Sequence, residues 1–288
     1  VMQFLSGDAP EYLQNKYDLA IVWTQPHKSI AHFNDMINFK AVSVDDVLGE
    51  VDDFALFLLG IRDKVKYVFV ASWMLPAYNR GLGILDMKFG FGTANTLMRM
   101  NIRLSENICD ADNIYLLDAL KWARIAGKNM FNSRSWYMGK IPFCNEVFKE
   151  AAVDIRYFLR VLSGGTKKII ILDLDDTLWG GKVGEVGWKN ICLGGHDHIG
   201  EAYVDFQSAL KSLSNRGILL AIVSKNEESV ALEAMKSHPE MVLKPEDLAG
   251  WKINWKDKAQ NIVNLLAELN LGIESAVFID DSSFERGR

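Results

Sequence analysis

Residues 168–179 read "KIIILDLDDTLW". Four consecutive apolar residues, Ile169, Ile170, Ile171 and Leu172, run straight into Asp173, Asp175 and Asp176. An uninterrupted apolar run of strand length is what a strand covered on both faces requires, and such strands belong to parallel sheets. In an open parallel sheet, ligands sit beyond the carboxyl ends of the strands, where these acids fall. Side chains of an extended chain alternate in direction, so Asp173 and Asp175 share a side that Leu174 does not. Asp176, pointing elsewhere, is expected to cap the following turn.

The rest of the chain repeats the alternation of strand and helix. Strand-like runs cover residues 18–23, 66–72, 113–117, 169–172, 218–223, 241–243 and 275–279. Between them, residues 44–64, 93–107, 145–162, 202–215, 228–237 and 258–269 carry the helical period, and Pro142 suits a helix start. Residues 83–92, with three glycines, read as a loop. The small and then basic stretch "SGGTKK", residues 163–168, reads as a boundary. The expected fold class is α/β, with two Rossmann-like parallel-sheet domains at 1–163 and 164–288. The first is expected to be truncated at its start and the second at its end.

Composition removes several classes of function. With 288 residues, 49% of them apolar, the chain can build sizeable cores. The net charge is −5 and no basic block stands out, so no nucleic-acid surface is expected. No apolar run is long enough to span a membrane, and no signal peptide is expected. Cys109, Cys144 and Cys192 are scattered, without CxxC or zinc spacing, which fits a reducing, cytoplasmic setting.

Three strand ends carry polar residues suited to one task. The first offers Asp173, Asp175 and Thr177; the second Ser224, Lys225 and Asn226; the last Asp280 and Asp281. Lys258 stands at a helix start between the last two. Carboxylates converging on one point repel each other unless a cation neutralises them. An all-oxygen set with few ligands suits Mg²⁺, which keeps waters and takes a substrate phosphate. Phosphoryl transfer uses every piece. One carboxylate attacks, a second moves the proton, and a hydroxyl and an ammonium hold the charged oxygens. Lys225 and Asn226 either bind substrate or merely finish their strand. Trp251 and Trp255 read as partial core or as pocket wall. Cys144 reads as a buried structural cysteine, the alternative being a thiol that carries an acyl group. "GGHDH", residues 194–198, lacks a third ligand at metal spacing and reads as a loop over the site.

DxDxT after an apolar strand, Ser after a second, then Lys, then an acid pair resembles the haloacid dehalogenase (HAD) superfamily. The longer text "LDLDDTLWGGKVGEVGW", "LGGHD", "IVSKNEE", "INWKDKAQNI" and "VFIDDSSFER" resembles its FkbH-like branch. In the first half, "DLAIVWTQP", "LDMKFGFGTANTLMRMNIRL" and "WYMGKIPFCNEVF" resemble that branch's SGNH-like amino-terminal domain. The resemblance implies a capless HAD core in the second domain. It implies Asp173 as nucleophile and Asp175 as general acid/base, with Thr177 supporting the motif loop. Ser224 and Lys258 would bind the phosphoryl group, with Thr177, Lys225 and Asn226 as further candidates for phosphate binding. Asp173, Asp280, Asp281 and the Asp175 backbone carbonyl would hold Mg²⁺.

The activity implied is transfer of a glyceryl unit from 1,3-bisphosphoglycerate to the phosphopantetheine thiol of an acyl carrier protein, with loss of phosphate. The alternatives are a stand-alone phosphatase of a small phosphorylated metabolite, a phosphorylated receiver domain and a non-catalytic scaffold. The order of the motifs disfavours a receiver, and the intact acids disfavour a scaffold. Steering of an acidic carrier by an acidic chain must be local, and Lys167, Lys168, Lys182 and Lys189 flank the motif. SGNH hydrolases begin with a Gly-Asp-Ser nucleophile. The segment "FLSGDAPEYL" has no such triplet and His27 and His32 have no evident serine partner, so no esterase site is expected.

Overall fold

The computed structural model describes residues 15–287. The segment "FLSGDAPEYL" lies outside the described residues. The chain divides into two compact units, Val1–Tyr157 and Phe158–Arg288. The division falls inside the helix Asn145–Leu162, shortly before the "SGGTKK" stretch. Both units are α/β and both sheets are parallel, as the strand-helix alternation requires.

In the first unit, β1 (Tyr17–Val22), β2 (Val65–Ala71) and β3 (Ile114–Leu117) pair in that order. The helix Val44–Ile61 shows why this half folds as it does. Ser43 caps it by accepting from the Asp45 N–H at 3.1 Å. Asp45 and Asp46 lie in its first turn, where negative charge meets the positive end of the helix dipole. Val47, Val51, Phe54, Leu58 and Ile61 fall on its buried face and join Val68, Val70, Met100 and Leu104 in one core.

The second unit has the strand order β6-β5-β4-β7, with β4 (Ile169–Leu172), β5 (Leu219–Ser224), β6 (Gly250–Ile253) and β7 (Ala276–Ile279). The apolar run of β4 is explained by its place between two neighbours and two layers. Ile170 and Leu172 enter one core with Leu220 and Ile222; Ile169 and Ile171 enter the opposite one with Ala221 and Val223. Each fully buried aliphatic side chain contributes about 2 kcal/mol, so this strand anchors the sheet.

One strand differs from expectation. Residues 241–243 are not in the sheet; their place at the edge is taken by β6, "GWKI". The Val242 and Leu243 N–H groups donate instead to the side-chain Oε1 of Gln207, at 3.0 and 3.1 Å. Gln207 is fully buried, and its Nε2 donates to the Leu178 carbonyl at 2.8 Å. One side chain therefore satisfies the segment 241–243 and the end of the DxDxT loop together. Replacing Gln207 by Leu keeps the shape and strands three buried backbone groups. We expect a stability loss of about 2–4 kcal/mol, read as a lower urea midpoint. A loss under about 1 kcal/mol would mean those groups find other partners.

Candidate active site

Because β5 and β7 flank β4, their three carboxyl ends are adjacent, and the Asp173 N–H donates to the Ile279 carbonyl at 3.0 Å. Asp173, Ser224, Lys258 and Asp280 are all buried here. The Lys258 ammonium sits between two carboxylates, 2.9 Å from Asp173 Oδ2 and 2.6 Å from Asp280 Oδ2. It gets there because Asp257 caps the helix Lys258–Glu268, accepting from the Gln260 N–H at 3.0 Å, which sets Lys258 in the first turn.

One ammonium shared by two acids leaves a deficit. Burial pushes the Asp173 carboxyl above its ordinary range, and the hydrogen bond and charge of Lys258 oppose this only in part. Burial also works against the Lys258 ammonium, but its hydrogen bonds to Asp280 and Asp173 outweigh that and hold it above its ordinary value. Asp173 Oδ1 is buried and makes no hydrogen bond. Asp173, Asp280 and Asp281 each offer an oxygen, all within 4.8 Å of one another. An unpaired buried carboxylate oxygen beside two more acids fits a hard divalent cation.

The other expected residues take distinct places. Asp175 stands outside that cluster: its Oδ1 accepts from the Trp179 indole at 2.9 Å and the Val183 N–H at 3.1 Å. Its Oδ2 accepts from Asn226 Nδ2 at 2.8 Å, so Asn226 holds an acid. Thr177 Oγ1 accepts from the Asp281 N–H at 3.2 Å, tying the DxDxT loop to the acid pair. Asp176 adopts a left-handed φ of 54° and accepts from the Gly181 N–H at 2.7 Å, closing the turn. Lys225 reaches away to Glu285.

These residues line a cleft of about 680 Å³, with Lys182, Trp255 and Glu285 on its walls. Trp255 is 72% exposed, whereas Trp251 packs against the core and donates to Glu228. The "GGHDH" segment does not line the cleft. Asp197 instead caps the helix His198–Asn215, accepting from the Ile199 and Gly200 N–H groups. Lys167 donates to the Glu274 carbonyl at 2.8 Å, and Lys189 lies over the Trp188 ring. Cys144 is half-buried, with its thiol beside Glu146.

In the first unit, His32 pairs with Glu50 at 2.9 Å. His27 is buried with neither ring nitrogen hydrogen-bonded. That unit also has a mainly apolar cleft of about 610 Å³ at the ends of β2 and β3, lined by Met74, Leu97, Asn101 and Met130 among others. It brings no cluster of titratable groups together.

Four contributors were not read from the sequence as site residues. Trp179 and the Val183 N–H hold Asp175, and Trp179 stands four residues after it in the motif itself. Arg286 Nη1 donates to the carbonyls of Asp280 and Asp281. Glu285 pairs with Lys225 at 2.6 Å.

No family model and no curated protein matches the chain. Among solved structures, the crystal structure of the N-terminal part of the protein BF1531 from Bacteroides fragilis is similar over the whole chain. The TM-score is 0.84 and the identity 29%, covering 100% of this chain and 75% of that one. That protein is described as containing a phosphatase domain complexed with Mg.

Proposed function

We propose that the chain is a Mg²⁺-dependent phosphatase or phosphotransferase of the HAD type, working through an aspartyl-phosphate on Asp173. The observation that carries this is the buried Lys258 bridge between Asp173 and Asp280, with Asp173 Oδ1 left without a hydrogen bond and an Asp281 carboxylate oxygen within 4.8 Å of one oxygen of each. The likeness to a Mg-complexed phosphatase domain supports it.

In this reading Asp173 attacks phosphorus through one carboxylate oxygen, and the bond to the leaving oxygen breaks. Asp175, held by Trp179, Val183 and Asn226, gives that oxygen its proton. It then takes one from the water that releases phosphate. The Ser224 hydroxyl and the Lys258 ammonium face the non-bridging oxygens, whose charge grows in the transition state. Asp173, Asp280, Asp281 and the Asp175 carbonyl would hold Mg²⁺, which when bound neutralises phosphoryl charge.

The finer reading is glyceryl transfer from 1,3-bisphosphoglycerate to an acyl carrier protein, resting on the FkbH-like text. It needs two events. The carrier thiol attacks the acyl carbon and releases one phosphate, and the remaining phosphoester is cleaved by the Asp173 chemistry. The stand-alone phosphatase is the second reading, favoured by the description of BF1531. Phosphate release that rises with added carrier thiol and yields a thioester supports the first; release indifferent to the thiol supports the second.

Trapping phosphoenzyme in a single turnover, with the adduct mapped by peptide mass, tests the roles. Asp173→Asn should accumulate none. Asp175→Asn should form it slowly from a donor with a good leaving group and then stall. Asp176→Asn keeps the oxygen that accepts from Gly181 and should turn over within about tenfold of wild type, about 1.4 kcal/mol of barrier. Phosphoenzyme in Asp173→Asn, or loss in Asp176→Asn as deep as in Asp173→Asn, would reassign the acids.

The cation can be tested without turnover. Lys258→Met leaves two buried carboxylates uncompensated and should lower stability by about 3–5 kcal/mol in chelator. Added Mg²⁺ should recover part of that loss and should be needed for wild-type activity. Full turnover after exhaustive chelation, or a Lys258→Met protein indifferent to Mg²⁺, would count against the site.

A further inference from the structure

Lys225 follows Ser224 at the end of β5, and by alternation from Ala221 and Val223 it falls on the face of the sheet that Ile171 and Asp173 share. It reaches Glu285, in the short helix Ser283–Arg286 after the acid pair, with Nζ 2.6 Å from Oε1. Because β5 and β7 lie on either side of β4, the pair spans about 10 Å across the end of the Asp173 strand, two inter-strand spacings. Both residues line the cleft.

The two partners are not alike. The Lys225 side chain is 36% exposed and that of Glu285 only 10%. Glu285 Oε2 is buried and makes no hydrogen bond. A buried carboxylate oxygen is an acceptor that folded proteins rarely leave unmet. Phosphoryl oxygens cannot meet it, since they are acceptors and anionic. A cationic group is disfavoured too, because Lys225 already neutralises Glu285 and stands beside it. A neutral donor remains: a hydroxyl on the part of the substrate that departs from the phosphoryl group.

We infer that the Lys225–Glu285 pair determines specificity, with Glu285 Oε2 accepting from a hydroxyl of the leaving group and Lys225 holding Glu285 in place. This rests on the phosphotransfer reading above and narrows its substrates to hydroxylated phosphoryl donors.

The test compares kcat/KM for glycerol 1-phosphate and propyl phosphate, which differ only in the hydroxyls, with Mg²⁺ present. Wild type should favour the hydroxylated donor by about tenfold or more, the worth of one hydrogen bond to a charged acceptor. Glu285→Leu should bring the ratio to about one. Glu285→Gln, which keeps an acceptor oxygen and nearly the same shape, should fall between and serves if the leucine variant does not fold. A wild-type ratio near one, or variants that lose both donors in equal proportion, would overturn the inference and leave Glu285 a structural residue. Absence of Mg²⁺-dependent release from both donors would overturn the phosphotransfer reading, and this one with it.

Discussion

The ammonium of Lys258, held between Asp173 and Asp280, is the contact on which the second unit's architecture turns. Buried charges of one sign are tolerable only when paired, and breaking such a pair is costly. The contact needs β4 and β7 side by side so that their terminal acids meet, and the sheet provides that. It also needs the helix Lys258–Glu268 to begin at that point, which the Asp257 cap secures. Yet the pairing is incomplete, since one ammonium serves two acids and Asp281 adds a third. Eight carboxylates and three lysines line the cleft, so an anionic phosphoryl group entering without a cation would meet net repulsion. A cation that fills this deficit would therefore also be what lets the substrate in.

Much of this was legible in the sequence because the central strands are buried on both faces. β4 and β5 read as apolar runs for this reason; β7, at one edge and half-buried, reads as one because "AVFI" is apolar throughout, and all three end in the polar residues that meet in the cleft. The edge strand β6 was not legible. "GWKI" has a glycine and a lysine that break the apolar run, whereas the other edge strand, "AVFI", has neither. Residues 241–243 misled for the converse reason: they are apolar and extended, but a single buried Gln207 supplies their hydrogen bonds. No local pattern announces a long-range acceptor of that kind. Glu285 was hidden likewise, because its partner lies sixty residues away and an acid in a short exposed helix looks like solvated surface.

Three acids within four positions, at Asp173, Asp175 and Asp176, end in three different environments, and the backbone is what separates them. Asp173 still belongs to the sheet and is met by a charge, Lys258. Asp175, two residues on, is met only by neutral donors: an indole, an amide and a backbone N–H. Asp176 takes the left-handed conformation that few residues other than glycine, asparagine and aspartate adopt, and it spends its carboxylate on the turn. That turn brings Thr177 back to the Asp281 N–H, which fixes the acid pair against the end of β4. Carboxylates of one chemical type can take different tasks only when their surroundings differ. Here the difference is built over four residues: a strand end, a loop braced by neutral donors, and a strained corner that keeps the third acid out of the cation cluster.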